Sequence, residues 1–446
     1  MKLTHIDLTT GSVTSTMLRF AVPMILGNLF QQVYNLADTL IVGHFLGVGA
    51  LAAVGASYTL MVFLNSIQLG LCMGSGAAFS IYYGAQDFTR LHRSRFVAFV
   101  LIGLLTLVLN AAVFLWLDPL MGLMHVPADI YTLMRVYLWA VCWGIGFTFL
   151  YNYYASLLRA VGDSLTPLLF LAISVVLNIG LDLLFILPLD WGVAGAAWAT
   201  VIAQAVSAFS LMIYTYGRVP ELRIRRSDMH FSRDIAGEIA SFSLLTCVQQ
   251  SVMNLGILMV QGLVNSFGTV VMAAFTVAVK IDTLAYMPAQ DFGNAFSTFI
   301  AQNFGAKRFD RIRRGIRSGT WTTFLFCAVV SVAVFIFAEQ LMMCFVDAGE
   351  TELIRTGAGY LRIEGAFYVG IGCLFLLYGY YRAIKRPGMS VVLTVISLGT
   401  RVALAYLLAA VPSVGVVGIW WAIPVGWFLA DAVGILCLNR LKPVGS

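Results

Sequence analysis

Gly84-Ala85-Gln86-Asp87-Phe88-Thr89-Arg90-Leu91-His92-Arg93 returns 221 residues later as Gly305-Ala306-Lys307-Arg308-Phe309-Asp310-Arg311-Ile312-Arg313-Arg314, with the Gly-Ala pair, the Phe and two arginines in register. Other echoes keep nearly the same offset. Gly47 to Ala53 pairs with Gly268 to Ala274, and Gly192-Val193-Ala194-Gly195 followed by Trp198-Ala199 pairs with Gly415-Val416-Val417-Gly418 followed by Trp421-Ala422. One half of the chain is a divergent copy of the other. In an apolar chain, two repeats built about a shared site are the construction of a secondary transporter.

The composition is that of a membrane protein. Of 446 residues, 60% are apolar and 11% charged, and mean hydropathy is +0.89, against about 45–50% apolar and about 25% charged in soluble domains. A bilayer crossing takes about 20 apolar residues. Twelve such stretches can be drawn, at roughly 17–42, 55–80, 96–116, 131–153, 168–187, 193–216, 236–262, 270–300, 318–338, 355–379, 389–410 and 416–438. The expected fold is all-α and integral to the membrane: twelve transmembrane helices in two parallel six-helix repeats around a central cavity. The parallel relation follows from the even number of spans per repeat, which brings the second copy in from the same side as the first. The expected division is a first lobe at 1–216, a basic linker at 217–233 and a second lobe at 234–446.

Short cytoplasmic loops collect Lys and Arg. Alternate loops here carry them at 90–95, 159, 218–233, 307–317, 382–386 and 440–442, whereas 43–54, 117–130, 188–194, 263–269, 339–350 and 411–416 have none. Both termini are therefore expected in the cytoplasm. The net charge of +6 reflects this bias and suggests no nucleic-acid partner. Seven cysteines without CxxC spacing suggest neither a disulfide framework nor a zinc site. The polar start and long first span do not fit a cleavable signal peptide. No HExxH, P-loop or G-x-S-x-G motif supports an enzyme.

Charged residues inside a bilayer are costly and mark candidate sites. In the first repeat these are Asp38, and Asp182 with Asn178 one helical turn before it on the same face. The spans of this lobe offer no cation at comparable depth, since Arg135 lies near the outer end of span four. An acid pair of this kind can take up a proton near neutral pH, or, with amide and hydroxyl oxygens such as Asn178 and Thr200 nearby, hold a small cation such as sodium. Helix capping is the plain structural alternative. Pro23 removes a backbone hydrogen bond from the first span and is a candidate bending point.

The second repeat carries Lys280, Asp282, Asp291, Glu364, Arg401 and Asp431 in or near spans, with Arg401 in the place of Asn178 and Ala405 in that of Asp182. The acid cluster is thus not duplicated. Lys280 with Asp282 or Glu364, and Arg401, are expected to form internal salt bridges; the alternative is recognition of a polar or anionic part of a cargo. Gln31, Tyr34, Phe149, Tyr153 and Gln249 are candidates to line a cavity. The Gly-x-x-Gly starts at Gly192/Gly195 and Gly415/Gly418 point to close helix packing.

Taken together, Pro23 with Asp38 fifteen residues on in Asp38-Thr39-Leu40-Ile41-Val42-Gly43, Asn178-x-x-x-Asp182, Ala199-Thr200 after the Gly-x-x-Gly start, and Gln302-Asn303-x-Gly305-Ala306 make the chain resemble the multidrug and toxic compound extrusion (MATE) family over nearly its full length. In its first-lobe motif it looks closest to the prokaryotic DinF-type branch. The resemblance implies export of drugs or metabolites, organic and cationic or amphipathic, driven by entry of protons or sodium. It implies a cation site at Asp38, Asn178, Asp182 and Thr200, with Pro23 as the bending point, no cofactor, and a monomer in the bacterial cytoplasmic membrane. The chain departs from the NorM-type pattern, which places an acid on span seven where Val248-Gln249-Gln250-Ser251 stands here. A lipid-linked oligosaccharide flippase or a narrow-specificity metabolite exporter is the competing reading.

Overall fold

The computed structural model describes residues 5–123, 126–223 and 228–440. His125, Arg225, Arg226, Lys442 and the linker positions 224–227 lie outside them. Among the described residues every regular element is a helix. In chain order these are α1 (Val13–Gly84), α2 (Phe88–Leu115), α3 (Leu117–Leu123), α4 (Ala128–Cys142), α5 (Ile145–Ala160), α6 (Leu165–Ile186), α7 (Gly192–Arg218), a 3₁₀ turn (Pro220–Leu222), α8 (Arg233–Asn265), α9 (Thr269–Gly305), α10 (Phe309–Met343), α11 (Thr351–Gly365), α12 (Tyr368–Ala383), α13 (Pro387–Ala409) and α14 (Val416–Arg440). A bilayer selects this outcome, because a helix satisfies its own backbone groups where no water can.

Twelve crossings emerge once the breaks are counted. At 72 residues, α1 is about 108 Å long, more than a bilayer can hold as one span, and it is broken at Gly47 (φ 83°, ψ −177°). Two other spans are bent pairs: α4 and α5 meet at 43°, α11 and α12 at 52°. The fourth and tenth spans expected from hydropathy are therefore each two helices.

The duplication reaches the backbone. Gly47 and Gly268 share positive φ (83° and 100°), as do Gln86 and Lys307 (56° each) and Gly192 and Gly415 (56° and 53°). At the repeated Gly-Ala turn the bonds superpose in kind: Gln86 N–H donates to the Tyr83 carbonyl and Asp87 to Tyr82, and in the second copy Lys307 donates to Phe304 and Arg308 to Asn303, all at 2.9–3.1 Å. Non-glycine residues in the left-handed region are uncommon, so their recurrence at one repeat offset reflects a shared turn. The two Gly-x-x-Gly starts divide the work. Gly192 and Gly415 supply the positive φ, while Gly195 and Gly418 supply close approach: a Cβ would sit 3.0 Å from Phe185 Cβ and 2.5 Å from Leu408 Cβ respectively.

The chain forms two compact units, one of residues 1–7 with 22–247, the other of 8–21 with 248–446. They cross the boundaries expected at 216 and 234 in two places. The start of α8 stays with the first unit because Gly70 and Gly74 of α1 let it come close: a Cβ on Gly74 would fall 2.2 Å from the Phe242 carbonyl oxygen, and one on Gly70 2.6 Å from Cys247 Cα. Residues 8–11 stay with the second unit because Arg311 donates to the carbonyls of Leu8 (3.1 Å), Thr10 (2.8 Å) and Gly11 (2.6 Å), and Asn303 donates to Leu8 (3.0 Å). Overpacking costs about 1–3 kcal/mol. Gly74→Ala is expected to lower the unfolding midpoint of the purified protein by that order, since backbone and not a flexible side chain must give way; an unchanged midpoint would contradict the close α1–α8 contact.

Candidate functional site

Four elements of the first unit converge on one polar cluster. α1 carries Tyr34 and Asp38 one turn apart, α6 carries Asn178 and Asp182 one turn apart, α7 supplies Thr200, and α4 supplies Tyr137. Asp38 is 7% exposed and Asn178 and Asp182 are fully enclosed. The Tyr34 hydroxyl donates to Thr200 Oγ1 at 3.1 Å, Asn178 Nδ2 reaches the same oxygen at 3.5 Å, and Thr200 hands its own proton to the Ala196 carbonyl at 3.1 Å. That chain of bonds fixes the phenol and the amide and leaves Asn178 Oδ1 with no donor.

The two carboxyl groups face each other within hydrogen-bond reach. Neither oxygen of Asp182 nor Oδ1 of Asp38 receives a donor from the protein. Two carboxylates are both acceptors, so this approach becomes a bond only with a proton between them or a cation bridging them. The cation of α4 is taken elsewhere: Arg135 forms a two-pronged pair with Asp118, Nε to Oδ1 at 2.8 Å and Nη2 to Oδ2 at 3.3 Å. That pair, joined by the Tyr131 hydroxyl at 3.0 Å, holds the Asp118 carboxyl, outside the spans, below the usual carboxylate range.

Asp38, Asn178, Asp182 and Thr200 are thus brought together as expected from the sequence. Tyr34, a candidate cavity residue, joins them. Tyr137 was missed by sequence reasoning: it is 7% exposed, lies close enough to feel both aspartates and Tyr34, and packs in a core with Val42, Ala140 and Ala197. Only the fold reveals it, since a tyrosine in an apolar run carries no sequence signal. Phe149 and Tyr153 belong instead to an aromatic cluster with Phe79, Phe99 and Tyr154, the Tyr153 hydroxyl donating to the Arg95 carbonyl at 2.8 Å. Gln31 is exposed. Pro23 lies within α1 without interrupting its helical dihedrals; the break falls at Gly47. The passage of α1 from one compact unit to the other, at Val22, is beside Pro23.

In the second unit Asp282, Glu364 and Arg401 are buried together, at 3%, 2% and 8% exposed, with Tyr360 and Tyr368 beside the acids. The internal salt bridges expected there are not formed. Among the described residues, no ion pair within 4 Å joins Lys280 or Arg401 to Asp282 or Glu364. Lys280 is exposed while Asp282 is buried, because residues two apart on a helix do not share a face. Arg401 acts on both acids at longer range. Among the described residues no group of three or more His, Cys, Asp or Glu forms a metal cluster.

The MatE family model matches residues 23–184 and again residues 244–407, the second match beginning 221 residues after the first. The chain belongs to the MatE family. Two Bacillus subtilis (strain 168) relatives are similar along most of its length: the probable multidrug resistance protein YoeA, 28% identical over 435 residues covering 96% of this chain and 93% of the relative, and the probable multidrug resistance protein YpnP, 29% identical over 395 residues covering 88% and 87%. A solved MOP superfamily transporter from Pyrococcus furiosus shares the fold at a TM-score of 0.92, with 23% identity over 99% of both chains. As a MatE protein the chain is a multi-pass membrane transporter and not an enzyme.

The facing acids carry a stability prediction for this MatE chain. In Asp182→Asn, the new amide can donate to the donorless Asp38 Oδ1, and one uncompensated acid is gone. The variant is expected to be more stable than wild type at neutral pH by about 1 kcal/mol, read as a higher thermal midpoint in detergent. A lower midpoint would mean that the carboxyl is held by partners other than Asp38.

Proposed function

We propose that this chain exports organic cations and amphipathic compounds, in the manner of a multidrug efflux pump, in exchange for protons or sodium by alternating access. The observation that carries the reading is the Asp38–Asp182 pair, two acids in mutual reach with no cation of their own. A group that keeps such acids apart from any counter-charge makes their loading depend on what arrives from outside, and a cation supplies what the fold withholds. A proton fits the facing carboxyls directly; sodium would draw also on Asn178 Oδ1 and the Thr200 hydroxyl.

Coupling needs only that cation and cargo favour different conformations, so that loading one releases the other. The two repeats, 1–216 and 234–446, would act as lobes joined by the basic segment 217–233, with both termini in the cytoplasm, the protein working as a monomer in the bacterial cytoplasmic membrane. Pro23 leaves one backbone carbonyl of α1 without its helical partner, which makes the helix cheap to bend about four turns before Asp38. Relatives named as multidrug resistance proteins support the cargo class.

Efflux of a fluorescent organic cation from a pump-deficient bacterial strain, under imposed proton and sodium gradients in turn, tests this reading. Wild type is expected to respond to one of the gradients, and Asp38→Asn and Asp182→Asn to lose at least about tenfold in rate with normal amounts in the membrane, since each removes one group of an obligate pair. Undiminished export by either variant would remove the acid pair from the mechanism.

A further inference from the structure

The arginines around the start of α10 divide into two sets. Arg308 and Arg311 are engaged, donating to the backbone carbonyls of Leu8, Thr9, Thr10 and Gly11. Arg313, Arg314 and Arg317 are exposed. Among the described residues these three make no hydrogen bond and no ion pair, not even with Asp310 in the first turn of the same helix. Like charges three and four residues apart on a helix repel one another, so the set is unfavourable until an anion lies among them.

What lies beyond them on the helix indicates which anion. Positions 313, 317, 321 and 324 recur at the interval of a single helix face, with Arg314 beside them. Trp321 is 63% exposed, Phe324 46% and Leu325 66%, and the Trp321 ring meets Phe324 edge-on with centroids 5.8 Å apart. Trp321 lies about 6 Å along the axis from Arg317. Guanidinium groups, then a tryptophan, then an apolar strip follow a phospholipid from phosphate to interface to acyl chain. Topology asks for positive charge in this loop but not for a stripe of it. The first repeat has the same turn without the stripe: His92, Arg93, Phe96 and Val100 stand at the matching positions, and His92 Nε2 lies 2.7 Å from the Glu221 carbonyl.

We propose that Arg313, Arg314, Arg317 and Trp321 form a docking surface for an anionic phospholipid, its phosphodiester held among the guanidinium groups and an acyl chain lying along Phe324 and Leu325. A guanidinium fork matches the two free oxygens of a phosphodiester through paired, charge-assisted bonds. On the orientation proposed above, the lipid belongs to the cytoplasmic leaflet. The inference requires only that α10 crosses a bilayer, so it and the export reading stand or fall separately. The test is tryptophan quenching by brominated lipids, with the purified full chain in nanodiscs of phosphatidylcholine containing a minority of phosphatidylglycerol. Bromine on the chains of one lipid or the other reports which of them touches Trp321, whose share of the emission is read by comparison with Trp321→Phe in each background.

In wild type, phosphatidylglycerol is expected beside Trp321 at about ten times its share of the disc, and Arg313→Gln/Arg314→Gln/Arg317→Gln to bring it close to that share. Arg317→Gln alone, expected to lose about fivefold, serves if the triple variant does not fold. Arg90→Gln/Arg233→Gln/Arg386→Gln removes the same charge from exposed arginines elsewhere and should leave the enrichment in place. Phosphatidylglycerol at no more than its share beside Trp321 in wild type would overturn the site. Equal losses in the two triple variants would overturn it as well, leaving only the general attraction of a basic surface. Displacement of the lipid by inorganic phosphate at matched ionic strength would show a site for free phosphate and would overturn the lipid assignment.

Discussion

The first unit is organised by one electrostatic constraint: two buried carboxyl groups held close to each other with no ion pair to an arginine among the described residues. Close helix packing makes this possible. Gly195 brings α7 against the end of α6, with no room for a Cβ beside Phe185, and this sets Thr200 where both Tyr34 and Asn178 can use its oxygen. Those bonds turn the Tyr34 hydroxyl and one Asn178 N–H toward Thr200 and not toward the acids. The fold therefore spends its local hydrogen bonds on positioning and leaves the carboxyl oxygens unmet. Two ionised acids so placed repel one another and one positive charge relieves that cost, which is the physical basis of the coupling role proposed for them.

Duplication gave both halves the same backbone but not the same chemistry. The turns at Gln86 and Lys307, the breaks at Gly47 and Gly268 and the bent spans recur at matching positions, because these depend on glycine and on a tight turn following a long helix. The four positions of the acid cluster do not recur: Met259, Arg401, Ala405 and Ile423 stand in the second repeat where Asp38, Asn178, Asp182 and Thr200 stand in the first. The second unit buries its acids, Asp282 and Glu364, on α9 and α11 instead. Symmetric scaffolding with asymmetric sites is what divergence of a transporter repeat produces when only one half need carry a given coupling step.

How much of this was legible beforehand follows from the kind of signal each feature leaves. Span number and repeat register were readable because hydropathy and glycine spacing are local. Asp38, Asn178, Asp182 and Thr200 were readable because a polar residue in a membrane span is conspicuous by its cost. Tyr137 was not, since an aromatic residue in an apolar run has no such mark, and neither was the fate of Phe149 and Tyr153, whose rings pack against Phe79 and Phe99. The bends after Cys142 and Gly365 were invisible to a hydropathy window because the sequence stays apolar through them. The expected pairing of Lys280 with Asp282 or Glu364 fails for a geometric reason the sequence pattern does not show: a helix turns about 200° over two residues, so Lys280 is exposed while Asp282 is buried.

The acids at 38 and 182 stand out by the cost of keeping them. A protein whose stability margin is about 5–15 kcal/mol does not keep several uncompensated buried charges without return, since replacing them with apolar residues of similar volume is commonly neutral or stabilising. Burial alone does not distinguish them from Arg311, which is 7% exposed like Asp38 and donates four hydrogen bonds. What separates them is the absence, among the described residues, of a donor to Asp38 Oδ1 and to both oxygens of Asp182. Unpaired buried acids are therefore read better as half of an interaction than as a defect, and on the function proposed here their other half is the coupling cation.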